Sequence, residues 1–350
     1  MSSKVAIVEF DRKENIKKAY QEAIKLIGGI DELNTDKSVV IKVGVFSHKM
    51  ENHSSVDVVD AIISGFDNSP RIYLVESDNY EGTGTERLQI WKDLFDERVQ
   101  PFNLSEDAHT KRITVSGHDI DLSHILLKPH VFVDTHVFRN YSKGSILKNL
   151  FGCTPDSKKA KYHKDTIFYD LLAKIYEEIN GIDLAVLDGT NFWYREVYTP
   201  LNILIVGRDA VAVETVGVYL AGLNPQKMEI IQKFVKRGFG EGDITEIEIL
   251  GVPLESVREK CETTLENLKE MAAQAPQPWS PSRALDSLIK EGFFKLPNKR
   301  TREDIKRELE IRDARAKDRS SVIITTLARR VKKGVLRAEK EPEGWFYWEE

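Results

Sequence analysis

Lys148 stands inside the apolar run "ILKNLFG", where an ammonium is costly to desolvate unless it is paired or used. The stretch from Lys143 to Lys164 around it holds six lysines, His163 and a single acid, Asp156, in a chain of net charge −5. His136 closes the apolar run "VFVDTH" just upstream, and Arg139 adds a further cation. An amine between two imidazoles suits an anionic small molecule or cofactor, with proton or hydride transfer on a carboxylate-bearing substrate if the chain is catalytic. The same imidazoles, His136 and His163, could ligate a divalent metal such as nickel or zinc. The plainer reading is a solvated basic loop with hydrogen-bonded histidines, and it stays open.

The turn "NYSKGS" leads into the segment of Lys148. Ser142 or Ser145 can cap a helix there, Gly144 lets the backbone turn tightly, and Gly152 closes it. A free helix N-terminus beside lysines is a ready anion site. Lys143, Gly144, Ser145 and Asn149 are therefore candidates for holding a cofactor or anion, with Lys42 and Asp188, which end two other apolar runs. "EGTGTE" is neither a P-loop nor GxGxxG and reads as a turn. All eight histidines lie between His48 and His163. The six-residue recurrence of His118, His124, His130 and His136 is too wide to chelate: a strand parts such residues by about 20 Å. His48 and His53 share one loop. Asp209 reads as an N-cap of the buried helix in "GRDAVAVETVGVYLAG".

The elements that must position these groups alternate. "KVAIVEF", "SVVIKVG", "RIYLVES", "HVFVDTH", "DLAVLDG" and "NILIVGRD" are short apolar runs, the earlier ones followed by amphipathic segments. That order predicts an α/β fold with a mostly parallel sheet and flanking helices. Ligands of such sheets sit beyond the carboxyl ends of the strands, where Lys42, His136 and Asp188 fall.

With 350 residues the chain is long enough for two or three domains. Residues 1–273 form the predicted α/β domain, one body or two lobes. Residues 274–281, within "MAAQAPQPWSPS", read as a linker. Residues 282–350 read as a winged-helix-like domain: three helices, then a hairpin packed by Trp345, Phe346 and Trp348. Residues 279–350 carry a net charge of +5 against −10 for the remainder. DNA or RNA contact through Arg329, Arg330, Lys332 and Lys333 is one expectation for this domain, and docking or dimerisation another; a homo-oligomer stays open. Two cysteines, Cys153 and Cys261, exclude a disulfide framework and a cysteine-ligated iron–sulfur cluster. With no leader-like start and no long apolar run, the expected setting is cytoplasmic, without a membrane.

The order "VVIKV…HSSVDVV…VFVDTHVF…SKGSILKNLFGCTPDSKKAKYH…LDGT…GRDAVAVETVGVYLAGLNP" resembles the domain-of-unknown-function 362 family over about residues 4–252. That resemblance implies no settled activity. Many members add a ferredoxin-like cluster domain, whose cysteines are missing here. Members show a glycine-rich turn after "DGI"; here "DGTNFWYREVYTP" replaces the glycines with aromatics and Arg195. More distantly the chain resembles the catalytic domain of lactate racemase, in which a lysine anchors a nickel-pincer cofactor and histidines serve as ligand and acid–base groups. That likeness implies Lys148 as anchor and His136 and His163 as acid–base or metal residues. A metabolite-sensing, nucleic-acid-binding regulator is the alternative to an enzyme.

Overall fold

The computed structural model describes residues 2–11, 15–48, 51–274, 280–312 and 320–349. These fall into two compact units, Met1–Gln274 and Ala275–Glu350. Residues 275–279 of the expected linker lie outside the described residues, as do residues 313–319.

The large unit is built on an eight-stranded sheet. Its strands are β1 (Ser3–Glu9), β2 (Val39–Lys42), β3 (Ile72–Glu76), β4 (Val99–Asn103), β7 (Val131–Asn140), β8 (Leu184–Tyr194), β9 (Val197–Gly207) and β10 (Ile247–Gly251). The hairpin β5 (Thr110–Val115) and β6 (His118–Ser123) stands apart from it. The spatial order is β10-β1-β9-β8-β7-β2-β3-β4. Only β9 runs against its neighbours, β1 and β8. The predicted α/β class with a mostly parallel sheet is what the chain adopts.

Strands buried on both faces feed two cores. Phe132 and Phe138 of β7 point to one, Val131 and Val133 to the other. The first core is closed by α4 (Ile146–Asn149), α5 (Asp165–Glu178), α6 (Ala210–Leu220), α7 (Glu229–Lys236) and α8 (Leu254–Gln274). The second is closed by α1 (Ile16–Leu26), α2 (Val56–Ser64) and α3 (Gly84–Leu88). Asp209 caps α6, accepting from the backbone N–H of Val211 and Ala212 at 2.9 and 3.0 Å, as its position before an apolar run predicts. Chain order reverses between β2 and β7: β3 and β4 extend one side of β2, and β8 and β9 extend beyond β7. A crevice at the carboxyl ends of these two strands is where such sheets take ligands.

The aromatic-rich "DGTNFWYREVYTP" is not a ligand loop. Its residues continue β8 and β9, two long antiparallel strands joined by a tight turn at Arg195, whose φ is +56°.

The small unit holds α9 (Pro281–Lys290), β11 (Arg300–Thr301), α10 (Arg302–Arg312), α11 (Ser320–Lys332), β12 (Arg337–Glu341) and β13 (Gly344–Trp348). Its sheet order is β11-β13-β12. Three helices and a hairpin occur as the sequence suggests. The hairpin residue that fills the core is Tyr347, packed with Leu285, Leu309 and Leu327, whereas Trp345 is exposed. Strand alternation turns Phe346 and Trp348 to the face opposite Tyr347; Trp345 shares the tyrosine's face, near the start of the strand. Among the described residues no helix is long and apolar enough to cross a membrane.

Candidate functional site

Two neighbouring parallel strands end side by side on charged residues. β2 ends on Lys42, opposite Asp134 of β7, and β3 ends on Glu76. Lys42 is fully buried and its ammonium is saturated. It donates to Glu76 Oε2 at 2.7 Å, to the Val43 carbonyl at 2.7 Å and to Asn149 Oδ1 at 3.0 Å. Burial opposes ionisation of Glu76, but Lys42, Arg87 and Lys159 outweigh it and hold the carboxyl below its ordinary value. Asn149 crosses to the next strand, its Nδ2 donating to Asp134 Oδ1 at 3.0 Å and to the Thr135 carbonyl at 3.2 Å. Burial pushes Asp134 up to about 8, so it keeps its proton at neutral pH.

Two glycines exist because this layer is tight. A side chain at Gly152 would meet Lys42 Nζ at 2.6 Å and Glu76 Oε1 at 2.7 Å. One at Gly44 would strike the His136 ring at 2.8 Å.

Above this floor opens a cavity of about 500 Å³. Four cationic side chains line it: Arg87, Arg139, Lys148 and Lys159. Glu76 is the one carboxylate among its described lining residues. His136 and His163 share the wall, and Phe46, Tyr80, Tyr141 and Phe151 add aromatic surface. Arg87 is spent on Glu76 and on the Val45 and Ser77 carbonyls. Arg139 gives Nη2 to the Gly144 carbonyl at 2.8 Å and Nε to Ser145 Oγ at 3.3 Å. Lys159 donates to Ser77 Oγ at 2.6 Å and to the Thr154 carbonyl at 3.1 Å. Lys148 has no hydrogen bond or ion pair with any described residue; its Nζ lies 5.9 Å from the Tyr141 ring centroid. Burial, with Arg139 and Lys42 nearby, pushes Lys148 down to about 7. Burial also lowers Lys159 to about 8. The same effect, helped by Arg139 and Lys148, keeps the His136 imidazole neutral far below its usual range.

Of the residues singled out from sequence, His136, Arg139, Lys148, Asn149 and His163 meet at this cavity. His163 lies at its exposed edge, stacked on Phe168 with centroids 4.5 Å apart. The others do not meet there. Lys42 lies beneath the floor, with its three protons already committed to the protein. Lys143 leans over the Phe168 and Tyr169 rings. Asp188 accepts from the N–H of Ser55 and Thr190 at 2.6 and 2.9 Å, which ties β8 to the start of α2.

The Gly144–Ser145 turn presents N–H groups to an acid, but the acid is the protein's own, and burial raises the pKa of that acid, Glu214. Glu214 of α6 accepts from the Ser145 N–H at 2.8 Å and the Leu147 N–H at 2.9 Å. The Ser145 side chain makes no cap. Gly144, at φ +85°, leaves room for that carboxylate: a side chain there would meet Glu214 Oε1 at 2.9 Å. The glycine turn was readable; its partner, an acid in an otherwise apolar helix, was the available signal. Arg87 and Glu76 escaped notice because a charge at the end of a short element looks like any surface residue.

His48 and His53 do not pair: His53 Nδ1 meets the Ser54 carbonyl at 3.0 Å and its ring packs on Trp91. "EGTGTE" closes on itself through a capping box of Thr83 and Glu86. No group of three or more His, Cys, Asp or Glu that could hold a metal occurs among the described residues. Two histidines against four cations do not fit a nickel or zinc centre.

In the small unit, Arg330 is held by Asp286 through paired bonds of 2.8 and 2.7 Å and by Ser282. It braces α11 against α9. Arg329, Lys332 and Lys333 are exposed.

No curated protein matches the chain. A family model does, over residues 39–219, from the first residue of β2 almost to the end of α6. The match spans just over half of the 350 residues and every strand end that builds the cavity, so the chain belongs to the family described as Domain of unknown function (DUF362).

Proposed function

We propose that the cavity binds a small organic anion, a carboxylate or phosphate, and that His136 and Lys148 move protons to or from it. One observation carries the reading: four cations face a single carboxylate, and that carboxylate is already neutralised by Lys42 from below. Donors remain for the ligand. Arg139 Nη1 and the third N–H of Lys159 have no described partner, and Lys148 has all of its own. A cavity of this size suits a small metabolite. Calorimetric titration of the full chain with short carboxylates and phosphates tests it. Binding should weaken with added salt and fall about tenfold or more, at least 1.4 kcal/mol, in Arg139→Gln and Lys148→Met. Failure of every anion to bind, or equal binding by the variants, removes the reading.

A second reading concerns the small unit. Arg329, Lys332 and Lys333 gather, exposed, at the end of α11, which supports phosphate contact with nucleic acid by a winged-helix-like body. The triple Gln variant of these residues should lose a low-salt DNA or RNA shift that the wild-type chain gives. No shift by the wild type ends this reading.

A further inference from the structure

Among the cavity's cations, Lys148 differs in kind. Arg87, Arg139 and Lys159 each reach backbone or side-chain acceptors, which fix their places in the wall. Lys148 reaches none among the described residues. It is carried on α4, whose Ile146, Leu147 and Asn149 are buried, so its stem is anchored while its amine faces the open volume. The neighbouring thiol is no rival: Cys153 is fully buried, and burial pushes it up to about 12, so it stays protonated. Ser77 Oγ is spent between Lys159 Nζ and the Gly152 carbonyl.

We infer that Lys148 is a nucleophile that condenses with the carbonyl of a 2-oxo acid bound in the cavity. The inference rests on the anion reading above and names its ligand class. A 2-oxo acid places a carboxylate one bond from an electrophilic carbon. The spare N–H groups of Arg139 and Lys159 take the carboxylate, and the uncommitted amine then faces the carbonyl. In the step itself the amine nitrogen bonds to the carbonyl carbon and the C=O π pair moves to oxygen. The C–O bond then breaks and water leaves. Both hydrogens of that water come from the amine, and the product is an imine. The neutral His136 ring in the same wall accepts a proton from nitrogen and returns it to the departing oxygen. A free amine is required, and the surroundings supply one. Like charges and burial favour loss of the proton from Lys148, as for other lysines activated beside a second cation. At pH 7 such an amine is free roughly a thousand times more often than an ordinary lysine.

Reductive trapping decides the matter. The full chain is incubated with 2-oxobutanoate or 2-oxoglutarate and sodium cyanoborohydride, digested and mapped by mass spectrometry. The expected product is Lys148 heavier by the acid less one oxygen atom, at least about tenfold more abundant than on any other lysine at pH 7. Its yield rises with pH through the region near 7. Lys148→Arg, which keeps the charge, binds the acid and gives no adduct above the surface background. Calorimetry on the same samples separates the two claims. Binding without an adduct on Lys148, or adducts spread evenly over surface lysines, overturns the imine and leaves the anion site standing. Absence of binding overturns both.

Discussion

Two cationic sites adjoin on one short segment, the Gly144–Leu147 turn and the cavity wall at Lys148, and they differ in who answers their charge. The turn offers the Ser145 and Leu147 N–H groups, and α6 answers with Glu214. The cavity offers Lys148, and no described residue answers it. A protein closes an anion site from within when that site serves the fold. Leaving an amine unanswered inside a wall costs stability, so the comparison assigns structure to the first site and ligand chemistry to the second.

The strongest way to break that contrast is to empty the first site. Glu214→Ala leaves the buried N–H groups of Ser145 and Leu147 without an acceptor, and should cost about 3–5 kcal/mol in urea unfolding. Formate should restore part of the loss, turning the internal site into an external one. A loss under about 1 kcal/mol without formate rescue would mean that the turn does not depend on Glu214.

A smaller effect tests the layer beneath. Gly152→Ala drives a methyl into the Lys42–Glu76 pair and should cost about 1–3 kcal/mol. It should weaken anion binding too, since Gly152 lines the cavity. Wild-type stability and binding in this variant would show that the floor yields.

The smallest effect is the sharpest. Lys148→Met should not lower stability at pH 7 and should raise it, because a desolvated amine is removed and no partner is lost. The pH dependence carries the sign. Lys148 sits near 7 in the folded chain and near 10.4, the ordinary lysine value, when unfolded. Between those limits the unfolded chain holds the extra proton, so wild-type stability rises with pH across the window. The Met variant should lack that rise, and two parallel stability profiles from pH 7 to 10 would count against an uncommitted amine.

Much of this could be read from residue order. The apolar run ending in Lys42 located the carboxyl end of β2, whereas β7 runs past His136 to Asn140, and the misfit of Lys148 in "ILKNLFG" pointed to the wall it occupies. What escaped was pairing over distance. Lys42 was readable as a free cation because Glu76, one strand away, is an unremarkable terminal residue in sequence. Ser145 looked like a cap until Glu214 arrived from 69 residues on. Arg330 sat in a basic run, and only packing reveals that Asp286 has claimed it. Local spacing reports where a charge is carried; it does not report which charges have already been met.

Glu214 also sets an order of assembly. During synthesis β2, β3, β7 and the basic segment emerge before α6, so a nascent chain holds the residues that line the crevice before it holds the acid that fastens their support. A protein cut short after β9 would keep the amine and both imidazoles and would be unable to hold them still.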